Sequence, residues 1–548
     1  MPSDIRRLAW AMATVAFVAI WFAGLESRKI IKTDEGRYSE LAREMSATGD
    51  WLTPRLNGIK YFEKPPLQYW ATAVAFRAFG VHNWTARLWT ALTGLLGVVI
   101  VWFSGRRIFG EPAGIYAALV AASSPLYFGA GHVASLDMGL GFFMTGALAG
   151  FLFAQTAHTE RAVSGWMALA WLAAALAVLS KGLVAIVLPG AAIFVYSVLT
   201  RDLTVWRRLR PGLALLILAL VAAPWFIAVS IVNPEFPAFF FIHEHFARFL
   251  TTVHRRVEPW WYFIPLLIGG LLPWTVPAVA AAIRLWQREA GASAFQPARF
   301  LLVYCAVIFV FFSASGSKLP AYILPLFPAA AILVGAYLVQ VNPRIFALQM
   351  IPAALLAVAM IALSPLIAQR HRGREVPVEL YDQFARWLQG GGLVLLGSLA
   401  LGWFFCARGR IGAAVGSVAA GMLLSLQLAA LGHDNLNPVS SAFQIASRVK
   451  PMLAPGTPFF SVQMYEQTLP FYLGRTVTLV DYLDEFEYGL KQEPALAVSD
   501  MGQFDRVWRE APTAFAVMNR ETYETLRLRG LPMQPVASDP RRVIVRNQ

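Results

Sequence analysis

The amino-acid sequence predicts a polytopic α-helical membrane protein of about 13 transmembrane helices, ending in a small α/β domain. Three observations carry that prediction. Of the 548 residues, 57% are hydrophobic and only 14% charged, a balance that excludes an ordinary soluble enzyme. Apolar stretches of membrane length recur along the first four fifths of the chain. After Gly432 the composition turns polar, and short apolar runs alternate with helix-like segments.

The apolar stretches run approximately over 8–25, 84–104, 112–131, 137–156, 165–180, 182–200, 212–231, 258–283, 300–315, 320–340, 345–368, 389–407 and 411–432. The first follows Arg6 and Arg7 but has no small-x-small cleavage site, so it reads as an uncleaved helix. Segment 66–80 is apolar but too short to span, and it begins at Pro65-Pro66. It is expected to lie at the interface. A second interfacial helix is expected over 34–48, capped by Thr33, acidic in its first turn at Asp34 and Glu35, and stopped by Gly49. Residues 1–432 thus form the membrane domain, with 433–548 outside it.

Basic residues recur on alternate connections: Arg6/Arg7, Arg106/Arg107, Arg201/Arg207/Arg208/Arg210, Arg284/Arg288 and Arg408/Arg410. The positive-inside rule places these in the cytoplasm and puts loops 26–83, 232–257 and 369–388 outside, together with the C-terminal domain. The net charge of +14 fits this pattern and anionic lipid headgroups better than nucleic acid, because no basic cluster is interleaved with aromatics outside the spans. In the C-terminal domain, strands are expected at Pro458–Gln463, Thr476–Tyr482, Thr513–Asn519 and Val543–Arg546, with helices at Ala442–Leu453 and Met501–Glu510. It carries no Gly-rich phosphate fingerprint, so no nucleotide is expected. Cys305 and Cys406 both sit in apolar runs and form neither a disulfide framework nor a metal knuckle.

Charged groups beside a bilayer are costly unless they line a water-exposed or functional site. They collect on the outer connections. Asp34, Glu35, Arg37 and Tyr38 open the first interfacial helix, and Glu63-Lys64 precedes the second. Asp137 stands where one span gives way to the next. Lys181 interrupts an apolar hairpin, and Lys318 lies between two spans. Each has a plain reading as a helix cap or a snorkelling lysine. Their shared side of the bilayer favours a reaction site. The run His243-Glu244-His245, with Arg248 beyond it, adds donors that could bind a divalent ion with Glu63, although no complete four-ligand spacing is visible.

Six motifs carry a family resemblance: Asp34-Glu-Gly-Arg-Tyr38, Glu63-Lys-Pro-Pro-Leu67, Leu136-Asp-Met138, Ser180-Lys-Gly182, Glu244-His245 and Ser317-Lys-Leu-Pro-Ala-Tyr322. Together they resemble the aminoarabinose lipid A transferases. These are polyprenyl-phosphate-dependent glycosyltransferases of the C-type fold, related to protein O-mannosyltransferases. The resemblance implies a donor, undecaprenyl phosphate carrying 4-amino-4-deoxy-L-arabinose, and an acceptor phosphate of lipid A. It implies transfer at the periplasmic face of the bacterial inner membrane, giving resistance to polymyxin and cationic antimicrobial peptides. Asp34, Asp137 and Lys64 would be catalytic, and Glu35, Arg37, Tyr38, Lys181, Arg248, Lys318 and Tyr322 would bind substrate. Glu63, Glu244 and His245 are the expected metal donors. Two other readings compete. One is a related transferase acting on protein or another glycan. The other is a lipid transporter, against which the one-sided charges and the lack of an evident inverted repeat both speak.

Overall fold

The computed structural model describes residues 3–247, 258–288, 295–370 and 377–548. All 13 apolar stretches contain helix. Among the described residues, seven helices are long and apolar enough to cross a membrane: Asn83–Phe109, Leu136–Gln155, Glu160–Lys181, Pro297–Ala314, Pro343–Leu363, Val378–Ala407 and Ile411–Ser440. Three shorter apolar helices, Ala11–Phe22, Val184–Thr200 and Leu326–Leu338, accompany them.

The remaining three stretches are bent pairs, which hydropathy does not reveal. Glu111–Ala122 and Pro125–Gly131 meet at 67°, and Pro211–Val221 and Ala223–Val232 at 43°. Phe263–Leu271 turns through 100° into Thr275–Gln287. A proline stands at each break: Pro125, Pro224 and Pro273. Each lacks the N–H that would continue the helix and crowds the preceding turn. Buried polar contacts support the first break, where Trp274 Nε1 donates to Ser123 Oγ at 2.9 Å. The first helix is tied in the same way, with Trp21 Nε1 donating to the Ala91 carbonyl at 2.8 Å.

Helices form where two were expected at the membrane interface, at Asp34–Thr48 and Leu67–Phe79. Gly49 closes the first in the left-handed region and donates its N–H to Met45, as expected. Thr33 flanks the helix start, but its side chain makes no cap bond. Glu35 reaches back to accept the Ile31 N–H at 2.9 Å, tying the helix to the segment before it. Between the two helices lies a hairpin, β1 (Arg55–Leu56) and β2 (Ile59–Lys60). Asn57 and Gly58 turn it, both at positive φ (55° and 79°), as an Asn-Gly hairpin turn requires.

The C-terminal domain is one six-stranded sheet. Its strands are β3 (Phe459–Val462), β4 (Thr478–Val480), β5 (Ala497–Val498), β6 (Phe515–Asn519), β7 (Gln534–Ser538) and β8 (Arg542–Arg546). The spatial order is β5-β4-β3-β6-β8-β7. The first four in that order are parallel, while β8 pairs antiparallel with β6 and with β7. Four of these strands coincide with the expected ones. The two-residue β5 and the half-exposed edge strand β7 carry too few apolar residues to announce themselves.

Polar clasps fasten this domain to the interfacial elements. Asn57 brackets the backbone of Val477, donating to its carbonyl at 2.6 Å and accepting its N–H at 2.8 Å. Arg55 pairs bidentately with Glu493, both contacts at 3.0 Å, and Arg43 reaches the Gly474 carbonyl. We predict that Asn57→Ala leaves both Val477 backbone groups unsatisfied and strains the positive-φ turn, costing about 2–4 kcal/mol. A clear fall in the thermal midpoint of the detergent-solubilised protein is the expected result. An unchanged midpoint would show that the bracket adds nothing to docking.

Candidate active site

The segment Asp34-Glu-Gly-Arg37 divides four tasks among four neighbours. A helix turns by about 100° per residue, so adjacent side chains face different surroundings. Asp34 is the most exposed, with 38% of its side chain accessible, and its Oδ1 accepts from Arg37 Nη1 at 3.1 Å. Glu35 is 1% exposed, and both of its oxygens are engaged. Arg87 donates from Nε at 2.7 Å and Nη2 at 2.6 Å, and the Ala134 and Ile31 N–H groups each donate at 2.9 Å. Gly36 faces the C-terminal domain so closely that a Cβ there would lie 2.8 Å from Thr468 Cγ2 and 2.9 Å from the Gln467 backbone. Arg37 pairs through its other terminal nitrogen with Glu485, also from the C-terminal domain.

Glu35 is therefore a structural clamp, which corrects the expectation that it binds substrate. Burial alone opposes its ionisation. The Arg87 charge and the hydrogen bonds from Arg87, Ala134 and Ile31 outweigh that, so its carboxyl is held below the usual range.

Around Asp34 and Arg37 the structure gathers Tyr38, Tyr61, Tyr69, Glu63 and Glu244 within electrostatic reach. Burial pushes the three phenols well above their ordinary range, and the nearby acids add to the shift, so the hydroxyls remain protonated donors. Tyr61 and Tyr69 hydroxyls and Arg37 Nε are buried, with no hydrogen-bond partner among the described residues. Three unpaired donors beside an exposed carboxylate suit an oxygen-rich, anionic ligand.

Lys64 joins this group through Glu244, which lies within electrostatic reach of Tyr69. Its Nζ pairs with Glu244 at 2.8 Å and donates to the Glu63 carbonyl at 2.6 Å. Asp137, Lys181 and Tyr322, from three distant stretches, meet in a second cluster. Lys181 pairs with Asp137, and its ammonium stands 4.6 Å from the centroid of the Tyr322 ring. The Leu67–Phe79 helix, which carries Tyr69, packs against both the Asp34–Thr48 helix and the Glu160–Lys181 helix.

Lys318 behaves differently from expectation. Its Nζ donates to the Ser315 carbonyl at 2.6 Å and the Glu258 carbonyl at 3.1 Å, so it staples its loop to the neighbouring segment. Arg248 and the His245 side chain lie outside the described residues. Among the described residues no three His, Cys, Asp or Glu side chains gather as a metal-ligand set. Glu244 is committed to Lys64.

Four important residues escaped the sequence reading: Arg87, Tyr61, Tyr69 and Glu485. Arg87 had a usable signal, a lone arginine just inside a membrane-length stretch. Tyr61 borders the Glu63 motif. Glu485 lies some 450 positions from Arg37, and nothing in its local sequence, Asp484-Glu-Phe486, marks it.

A family model described as the aminoarabinose transferase C-terminal domain matches residues 445–547, and one described as dolichyl-phosphate-mannose-protein mannosyltransferase matches 63–228. The crystal structure of ArnT from Cupriavidus metallidurans bound to undecaprenyl phosphate superposes with a TM-score of 0.93 at 39% identity, covering 98% of each chain. The chain belongs to the ArnT family. Its fold is accordingly the C-type glycosyltransferase fold. An oligosaccharyltransferase from Archaeoglobus fulgidus shares the fold alone, with a TM-score of 0.51 at 13% identity over 94% of this chain and 70% of that one.

Among curated relatives, the undecaprenyl phosphate-alpha-4-amino-4-deoxy-L-arabinose arabinosyl transferase of Edwardsiella ictaluri is 33% identical over 332 residues. That match covers 60% of this chain and 59% of the relative. A transferase of the same name, numbered 1, from Sodalis glossinidius is 36% identical over 334 residues, covering 60% and 58%. The chain thus spans under two thirds of the length of the curated relatives it matches.

The clamp generates a stability prediction. Glu35→Gln should leave the buried Arg87 charge uncompensated, at a cost of about 3–5 kcal/mol. Expression and thermal midpoint should both fall. In the parent, the stabilisation from ionised Glu35 is complete above its unfolded pKa of about 4.3. It is lost only as pH falls through the lower folded value. A Glu35→Gln variant with parental midpoint and yield would remove the clamp from the account.

Proposed function

We propose that this protein transfers 4-amino-4-deoxy-L-arabinose from undecaprenyl phosphate to a phosphate group of lipid A. The observation that carries the proposal is the joining of two facts. The chain superposes over nearly its whole length on an ArnT bound to undecaprenyl phosphate. It also holds Asp34 and Arg37 as a pair, with Arg37 Nε and the nearby Tyr61 and Tyr69 hydroxyls left without a hydrogen-bond partner among the described residues.

The reaction is a single glycosyl transfer. An oxygen of the acceptor phosphate monoester attacks the anomeric carbon, and the bond from that carbon to the donor phosphate oxygen breaks. The acceptor becomes a phosphodiester, and undecaprenyl phosphate leaves as a monoester. A phosphate monoester has a second pKa of about 6, so the acceptor is already largely ionised at neutral pH and needs no strong base. Asp34 then acts by positioning the acceptor and by stabilising positive charge developing on the sugar. Arg37 and Lys64, oriented by their carboxylate partners, present N–H donors to the phosphates, and the tyrosine hydroxyls donate to sugar or phosphate oxygens. The Asp137–Lys181–Tyr322 cluster supplies a second ammonium over an aromatic face, suited to a donor or acceptor headgroup. Placing an amino sugar on lipid A masks a phosphate charge, which would weaken its attraction for cationic peptides such as polymyxin.

We infer that the active site faces the periplasm at the bacterial inner membrane. The positive-inside pattern supports this, because the basic connections fall opposite the loops that build the site. A single thiol introduced at the exposed Glu510 should react with a membrane-impermeant maleimide in intact spheroplasts. Protection there, with labelling only after lysis, would reverse the orientation.

Purified protein given labelled aminoarabinosyl donor and lipid A should yield labelled lipid A. Asp34→Asn should keep the thermal midpoint, because the side chain is partly exposed and its size is conserved. Turnover should fall by at least about 100-fold if the charge acts in the transition state. Near-parental turnover of Asp34→Asn would exclude that role. Transfer to a protein or another glycan in place of lipid A would redirect the acceptor assignment.

A further inference from the structure

The site described above is not completed by the membrane domain. Arg37 is 6% exposed and shares its guanidinium between two carboxylates from different domains. Asp34, one turn before it on the same helix, is the more exposed partner. Glu485, on the short segment after β4, is the buried one, with 6% of its side chain accessible. Glu485 is itself held in place: Gln467 Nε2 donates to its Oε1 at 3.0 Å, leaving Oε2 for Arg37. Its neighbour Phe486 packs edge-on to Tyr465 at 4.7 Å between centroids. The Gln467 backbone abuts the Asp34 helix at Gly36, where even a methyl group would collide. The C-terminal domain thus touches this helix twice within two residues, once by backbone contact and once by charge.

We propose that Glu485 is a positioning residue for the transfer, fixing the Arg37 guanidinium and through it the Asp34 carboxylate. The physical reason is freedom of the arginine. A guanidinium tied only to a half-exposed carboxylate would pivot toward solvent with it. A second, buried and hydrogen-bonded carboxylate leaves one orientation, with Nε directed away from both partners. Misplacing a reacting group by about 1 Å costs on the order of 100-fold in rate, so this constraint is kinetically significant. The inference rests on the transferase reading given above.

The test compares Glu485→Gln with Glu493→Gln in the full-length protein. Glu493 docks the same domain through Arg55 but touches neither Asp34 nor Arg37, so its loss reports docking alone. Glu485→Gln should lower kcat about tenfold or more while KM for the donor changes far less. Glu493→Gln should keep parental kcat. Combining Glu485→Gln with Arg37→Lys should cost less than the sum of the two, because both act through one guanidinium.

A pH profile adds a readout that docking would not move. Burial pushes the Glu485 carboxyl above the usual range, against the opposing pull of Arg37, with Glu63 and Asp484 adding to the rise. Tyr61, Tyr465 and Tyr482 are the other titratable groups near it. As pH falls, Glu485 takes up a proton and releases Arg37, so the acid limb of kcat in the parent should shift to lower pH in Glu485→Gln. Parental kcat and acid limb in Glu485→Gln would overturn the inference while leaving the transferase reading intact. Equal losses in Glu485→Gln and Glu493→Gln would overturn it in favour of docking. Absence of transfer by the parent itself would overturn both.

Discussion

The buried pair of Glu35 and Arg87 is the interaction on which the rest of the site depends. Arg87 enters from the outer end of the Asn83–Phe109 helix and uses every donor on its guanidinium. Besides Glu35, it bonds the carbonyls of Leu25 at 2.9 Å, Arg28 at 2.5 Å and Lys29 at 2.9 Å. Glu35 in turn holds the Ala134 N–H. One ion pair therefore joins the end of the first helix, the start of the interfacial helix and the turn before Asp137. Both aspartates of the proposed site sit within three residues of this knot. Two charges withdrawn from water stabilise a structure only when every lone pair and proton finds a partner, and here they do.

The same rule explains why the outer surface can hold so much charge beside a bilayer. Lys64 is matched by Glu244, Lys181 by Asp137, Lys60 by Glu235 and Arg43 by Glu40. Most belong to distant parts of the chain, so the pairs that neutralise the charges also close the fold. Pairing stops at Arg37 Nε and the Tyr61 and Tyr69 hydroxyls, buried donors with no partner among the described residues that an anionic ligand would satisfy. The C-terminal domain is part of this arrangement. Its buried Arg542, paired with Glu466 at 2.7 Å and bonded to the Ser441 carbonyl at 2.6 Å, anchors the sheet to the end of the last membrane helix. From there it reaches the hairpin through Asn57 and the Asp34–Thr48 helix through Glu485.

The sequence by itself determined the helices and their order. Apolar length and basic loops are local properties, and the bilayer imposes both. It also singled out Asp34, Arg37, Lys64, Asp137, Lys181 and Tyr322, because polar residues at the ends of apolar stretches are conspicuous. Three things were decided only by tertiary structure. The bends at Pro125, Pro224 and Pro273 depend on neighbouring helices that accept a broken span, which hydropathy does not encode. Glu35 and Lys318 looked like their functional neighbours, yet one clamps Arg87 and the other staples a loop. A residue's type states what it can bond, whereas its partners depend on which distant segments fold beside it. Glu485 is the clearest case. An ordinary acidic residue in a short turn acquires its role only because the packing of a second domain at Gly36 brings it to Arg37, and no local pattern records a contact made across some 450 residues.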